Sequence, residues 1–135
     1  MRAKQLMTAH PHVLSETDSI ADAMALASDH GVRHLPIVRD GKPIGVISDR
    51  DLRRVEGLLA ADVDRRGLAD KLLAGRAMSL LEGEPVTIPL EATAKEVVDA
   101  MLEAHVGSLL VVDAHGALAG IVSYVDVLRA LGSKL

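Results

Sequence analysis

The chain contains no cysteine, no tryptophan and no phenylalanine, and Tyr124 is its only tyrosine. Without cysteine there are no disulfides, no thiolate nucleophile and no Cys-based zinc site. Without large aromatic rings, a planar ligand has to be gripped by aliphatic side chains and backbone groups. Single-stranded nucleic acid, which binds largely by stacking on such rings, is disfavoured for the same reason. Long apolar runs are missing too. None approaches the roughly 20 residues of a membrane-spanning helix, and the N-terminus lacks the apolar core of a signal peptide. Positive charge is in deficit, with 15 Lys and Arg against 19 Asp and Glu, so nothing draws the chain as a whole to a phosphate backbone. These absences predict a soluble, cytoplasmic protein with no membrane association, and they disfavour nucleic acid as a partner.

What is present is repetition. Gly45-Val-Ile-Ser48-Asp-Arg-Asp51 and Gly120-Ile-Val-Ser123-Tyr-Val-Asp126 are one motif, G-x-x-S-x-x-D, written twice. Around it, a shift of 74 residues sets Val32-Arg-His-Leu-Pro-Ile-Val38 on Val106-Gly-Ser-Leu-Leu-Val-Val112, and one extra residue in the second turn makes the shift 75. Val32, Leu35, Val38, Gly41, Gly45, Ser48, Asp51 and Arg54 then meet identical residues. Upstream, Met7-Thr8 is set against Met78-Ser79. A chain of 135 residues, 49% of them hydrophobic, has enough apolar material for one core or for two half-domains sharing one. Duplication favours the second reading.

Within the first unit Ile20, Ala23, Met24 and Ala27 fall on one helical face, and Ser19 with Asp22 forms a capping box that Thr93 with Glu96 repeats. The second such helix turns Val97, Val98, Met101 and Leu102 inward. Leu35 to Val38 and Ile44 to Ile47 read as strands joined across Asp40-Gly41, a pair that readily supplies positive φ. Leu109 to Val112 and Leu118 to Val122 form the second hairpin, turning at Gly116. Closing helices start at Ser48 and Ser123 and carry Leu52, or Val127 and Leu128, into the core. The predicted fold is α+β, two pseudo-symmetric β-α-β-β-α repeats packed as one module. Its boundaries are residues 1–55, a connector over 56–75, and 76–135. The connector reads as partly helical with a break near Gly67, and its Asp64-Arg-Arg66 run reads as solvated surface.

Each motif places a hydroxyl and a carboxylate where a strand meets a helix. Ser-x-x-Asp there is a capping box in its own right. It also suits a nucleotide: an ionised carboxylate is acceptor-only and can hold two cis hydroxyls, a helix N-terminus favours phosphate, and aliphatic walls match an adenine face. Six histidines are scattered without the spacing of a metal site. Neither motif serine has an identifiable base or oxyanion hole. The prediction is therefore no metal, no catalytic cofactor and no enzyme.

The Met-Thr approach, helix, V-R-H-L-P-I-V strand, D-G turn and G-V-I-S-D-R-D closure, in that order and twice over, resemble the CBS domain, named after cystathionine β-synthase. Two in tandem form a Bateman module. The resemblance covers roughly Met1 to Val55 and Arg76 to Leu135, and is nearest to small stand-alone CBS-pair proteins such as those similar to the acetoin-utilisation regulatory protein. It implies two clefts for adenosyl ligands: AMP, ADP, ATP or S-adenosylmethionine. One cleft would use Val46, Ser48 and Asp51 with Ser79, Pro85, Val86 and Thr87. The other would use Ile121, Ser123 and Asp126 with Thr8, His10 and Val13. Arg33 and His34 would face phosphate in the first, where the second has Gly107 and Ser108. The family implies a regulatory adenine nucleotide, a homodimer and a regulated protein partner. The alternatives are a structural dimerisation module with empty clefts and a module specific for S-adenosylmethionine.

Overall fold

The strands are short and unusually dry. In the first hairpin Leu35, Pro36 and Ile37 are consecutive buried residues, and in the second Ser108 to Val111 are all buried. Strands covered on both faces read as continuous apolar runs rather than alternating ones, which is how these segments appear in the sequence. The computed structural model describes residues 1–61, 67–81 and 83–135. In chain order the first repeat holds α1 (Ala3–Leu6), β1 (Thr8–Ala9), β2 (Leu14–Ser15), α2 (Ile20–His30), β3 (His34–Arg39), β4 (Lys42–Ser48) and α3 (Asp49–Ala61). After α4 (Leu68–Ala74) and a 3-10 turn over Ala77–Leu80 come β5 (Thr87–Pro89), α5 (Ala94–Ala104), β6 (Ser108–Val112), β7 (Leu118–Ser123) and α6 (Tyr124–Gly132). The fold is α+β, with β-α-β-β-α in each repeat. The Asp64-Arg-Arg66 run of the connector lies outside those described. Gly67, at φ 73°, stands at the start of α4.

The strands form two sheets, β1-β7-β6-β5 and β2-β3-β4. In each, the first strand of the β-α-β-β-α unit runs parallel to the second, with Leu14 opposite Ile37 and Ile88 opposite Val111. The helix that bridges them is capped as the sequence indicates. Ser19 and Thr93 each accept the backbone N–H three residues on, at 3.0 and 3.1 Å, while Asp22 and Glu96 reach back to the cap's own N–H. Those N–H donors hold both carboxyls below their usual range. The Asp40-Gly41 turn has φ of 52° and 77°, the doubly positive pair that a two-residue hairpin needs.

Two bodies result, and they do not divide at the connector. One comprises residues 1–11, 40–43 and 85–135; the other comprises 12–39 and 44–84. The core of the first is Ala3, Leu6, Ile88, Val97, Met101, Leu109, Val111 and Val122. The core of the second is Leu14, Ala23, Leu35, Ile37, Ile47, Leu52 and Ala77. The start of the chain thus serves the second repeat, and the segment after α4 serves the first. The hydrogen bonds are reciprocal: Ala3 N–H to Ala92 O at 2.7 Å matches Ala77 N–H to Asp18 O at 2.8 Å, and Ala94 N–H to Met1 O matches Ile20 N–H to Gly75 O. Every one of these pairs keeps the 74-residue shift.

That register corrects one feature of the sequence alignment. Met7 corresponds to Leu81, not to Met78, because Met7 lies over Gly120 as Leu81 lies over Gly45. Two predicted core residues are also exposed: Leu102 at 67% and Leu128 at 60%. The apolar stripes of α5 and α6 are wider than the side each helix turns to its sheet, so the outer edge of each stripe stays in solvent.

A side chain at Gly120 would meet Thr8 O at 2.8 Å and Met7 Sδ at 2.5 Å. Gly120→Ala is therefore expected to lower unfolding free energy by about 1–3 kcal/mol. Gly57, in the interior of α3 with nothing within 4 Å, should respond oppositely, with Gly57→Ala gaining about 0.5–1 kcal/mol. Urea denaturation of the two variants tests the pair of signs.

Candidate functional site

Both G-x-x-S-x-x-D motifs close a strand and open a helix by the same four-atom arrangement. Asp51 Oδ2 accepts from Ser48 N–H at 2.9 Å and from Ser48 Oγ at 3.0 Å, and Asp51 N–H donates to Ser48 Oγ at 3.3 Å. In the second repeat Asp126 and Ser123 make the same bonds at 2.8, 3.1 and 3.3 Å. One carboxylate oxygen is thus committed to the cap. The other, Oδ1, lies 3.9 Å from a guanidinium three residues on, Arg54 in one repeat and Arg129 in the other, and each aspartate side chain is 19% exposed. An oxygen at that distance from its cation is beyond direct hydrogen bonding and keeps lone pairs for a further donor.

The helix ends are less open to an anion than the motif suggests. The first amide of α3, Asp49 N–H, donates to Arg33 O at 2.7 Å, and its counterpart Tyr124 N–H donates to Gly107 O at 2.9 Å. The third amide is spent on the serine cap. Asp49 adds a further negative charge to the first turn of α3, paired with Arg53 at 2.8 Å. A phosphate near this junction would have to be met by side-chain cations.

The structure distributes the predicted site residues between the two bodies. Val46, half-buried in β4, lies in the same body as Ser48, Asp51, Arg33, His34, Ser79 and the exposed Val13. Asp51 and Ser79 line one cavity of about 160 Å³, together with Arg54, Val55, Leu72 and Leu81. Ser79 itself donates to Arg76 O at 2.6 Å. Arg33 lines a different groove, between α2 and α3, with Asp49 and Glu56. The other body holds Thr8, His10, Ile121, Ser123 and Asp126. Thr8 pairs with Ile121 across β1 and β7, and His10, at φ 50°, donates its N–H to Ala119 O at 3.3 Å. Pro85, Val86 and Thr87 belong to this body as well, with Val86 O accepting from Leu110 N–H at 3.0 Å. Arg54 and Arg129 were not singled out as site residues from the sequence. The available signal was their identity at aligned positions three residues after each aspartate.

Among the described residues, no three His, Cys, Asp or Glu side chains are grouped to hold a metal ion, and no helix is long and apolar enough to cross a membrane. The CBS domain model matches residues 3–57 and again 77–133. The chain belongs to the CBS domain family. It is 30% identical over 129 residues to a CBS domain-containing protein of Dictyostelium discoideum, covering 95% of this chain and 89% of that one. It spans only 23% to 24% of longer curated relatives that it also matches. Among solved structures, CBSX2 in complex with AMP superposes with a TM-score of 0.78 at 28% identity, covering 99% of this chain and 98% of the other. A Vibrio cholerae protein described as an acetoin utilization protein (AcuB) gives 0.77 at 25%, covering 98% and 91%.

In these CBS repeats the serine acts first as a cap. Ser48→Ala or Ser123→Ala removes the acceptor for the aspartate amide and should cost about 0.5–2 kcal/mol of stability, read by chemical denaturation. Equal losses at the two positions are expected from the matching geometry.

Proposed function

We propose that this chain is a non-catalytic, adenine-nucleotide-sensing regulatory module of the cytoplasm. The observation that carries the reading is the twice-built carboxylate whose Oδ2 is tied into a helix cap while Oδ1 remains 3.9 Å from its nearest named cation. The cap removes the rotational freedom of the side chain. A ribose with two cis hydroxyls then meets a pre-oriented acceptor, and less conformational entropy is lost on binding than with a free aspartate. The AMP complex of CBSX2, similar over nearly the whole chain, supports adenosine monophosphate as the probe of choice.

The cavity beside Asp51, about 160 Å³, is smaller than the roughly 300–1,000 Å³ of drug-sized pockets. It admits a ribose-sized fragment, with the remaining ligand held by the other residues assigned to the two clefts. In this reading Val46 and Ile121 contact adenine, Ser48 and Ser123 stand near ribose and phosphate, and the approach residues complete each site: Ser79 with Pro85 to Thr87, and Thr8, His10 and Val13. Arg33 and His34 give the first site its phosphate preference, which Gly107 and Ser108 do not reproduce. Ligand occupancy acts by favouring one packing of a homodimer over another, and a regulated protein reads the difference. Such a switch requires unequal affinity for the two states.

A second reading, a structural module whose clefts stay empty, is favoured by the fact that capping alone accounts for every hydrogen bond of Ser48 and Asp51 given above. Ligand titration separates the two. AMP at about 100 times its dissociation constant should stabilise the fold by roughly 2.7 kcal/mol, with S-adenosylmethionine in the same panel testing the choice of adenosyl ligand. Combined Asp51→Ala and Asp126→Ala should abolish that gain, and 2′-deoxyadenosine monophosphate should bind more weakly than AMP. No melting shift across the panel with folded protein selects the structural module. Arg33→Ala should remove most of the preference for AMP over adenosine, a charge-assisted contact of about 1.5–3 kcal/mol. Unchanged preference would transfer the phosphate role to Arg54.

A further inference from the structure

The duplicated fold presents one position twice, covered in one repeat and open in the other. In the second repeat a groove of about 330 Å³ runs between α1, α5 and α6, with Leu6, Ala94, Ala130 and Leu131 in its walls and Lys95 and Lys134 among its lining residues. The 74- and 75-residue shifts set Ala94 on Ile20, Leu6 on Leu80 and Ala130 on Val55. In the first repeat these positions are covered by α4. That helix packs against α2, its Leu72 lines one cavity with Val55 and Leu80, and Gly75 at its end accepts from Ile20 N–H at 2.8 Å. Ile20 and Val55 are accordingly each 2% exposed, whereas Ala94 and Ala130 are half-buried. The floor of the open groove is also lower, because alanines stand where the covered one has isoleucine and valine. Leu131 replaces Glu56 on its edge.

We infer that the open groove receives one short amphipathic helix of a partner protein, leucine-rich on its buried face and acidic at its flanks. The chain itself supplies the template: where a segment does cover this position it is the helix α4, with Leu72 and Leu73 half-buried. The groove has the volume of a ligand-sized pocket and the apolar walls that a helix-in-groove contact uses. Charge chooses the sign of the partner. The first repeat has Ala21 and Leu59 where the second has Lys95 and Lys134, so two ammonium groups flank the open groove and none flanks the covered one at these positions. Lys95 is bridged to Asp99 at 2.7 Å, while Lys134 stands exposed beyond the end of α6. An acidic helix gains ion pairs at this rim and a basic one meets like charge. A second copy of this chain is the poorer occupant, because its own α4 is already packed against α2. The inference rests on the protein partner of the proposed function, and not on nucleotide binding.

The probe is a labelled, hydrocarbon-stapled peptide of the Leu68–Ala74 sequence carrying Lys71→Glu, titrated with the full chain by fluorescence anisotropy. Saturable binding that weakens with salt is expected. In the protein, Ala94→Ile with Ala130→Val fills the groove with the side chains of the first repeat and should raise the dissociation constant by on the order of tenfold or more. Lys134→Glu, at an exposed position, leaves the fold intact and should weaken the acidic peptide about two- to fivefold while sparing the unmodified Leu68–Ala74 peptide. Circular dichroism and an AMP melting shift are measured on every variant. Absence of saturable binding overturns the inference, as does binding that neither the filled groove nor Lys134→Glu alters. A groove that takes dodecanoate and not the peptide belongs to a fatty acid, which also overturns it. So does a mass by light scattering that falls from two chains to one in the filled variant, since the occupant is then a second copy. Peptide binding without any AMP response supports this inference and counts against the nucleotide reading. An AMP response without peptide binding does the reverse.

Discussion

The carboxylate oxygen that ties the last strand residue to the first helical turn is the constraint on which the remaining features hang. Asp51 Oδ2 and Asp126 Oδ2 each gather a backbone N–H and a hydroxyl within 3.1 Å. This determines where α3 and α6 leave their sheets. It also determines where the second oxygen points, because a carboxylate is rigid and planar. The oxygen held in the cap and the one beside the guanidinium are parts of a single group. A substitution at either aspartate therefore disturbs the cap as well as the second oxygen, and Asp→Asn with Asp→Ala is the informative comparison.

Duplication makes each repeat a reference for the other. Where both copies agree, as in the Ser–Asp caps, the Arg54 and Arg129 guanidiniums at 3.9 Å and the reciprocal bonds of Ala3 and Ala77, the shared geometry belongs to the common architecture. Where they differ, the difference marks specialisation. Arg33 and His34 against Gly107 and Ser108 differ where β3 and β6 begin. Asp49 and Arg53 against Tyr124 and Leu128 differ on the outer helical faces. His105 occupies a left-handed φ of 54° where the first repeat has Gly31 at 61°, so even the helix terminators have diverged in residue while keeping their backbone.

Much of the architecture was legible because its determinants are local. A serine three residues before an acid, an Asp-Gly pair and a 3.6-residue apolar period each act within one or two turns, and the structure has the caps, the turn and the helices where these patterns indicate them. Leu102 and Leu128 were misplaced because periodicity locates an apolar stripe without saying how much of its width a neighbour covers. Residue likeness over two positions matches Met7 to Met78, whereas the bonds Ala3–Ala92 and Ala77–Asp18 set the register that matches it to Leu81. Those bonds join residues 89 and 59 positions apart along the chain, beyond the reach of any local pattern. Arg54 was visible as an identity but not as a neighbour of the carboxylate, which depends on how the helix presents its first turn.

The reciprocal placement of the two approach segments has a consequence for biosynthesis. Ribosomes extend a chain at roughly 5–20 residues per second, and domains generally fold as they emerge. Here the first repeat cannot bury Leu14, Leu35 and Ile47 beside Ala77 until the segment beyond α4 has left the exit tunnel. Ala3 and Leu6 in turn wait for Val97, Val111 and Val122, which lie in the second repeat. Neither repeat is self-sufficient. Truncation at the connector would leave each fragment lacking the short segment that the other one carries, whereas co-expression of both fragments would restore the full set of partners.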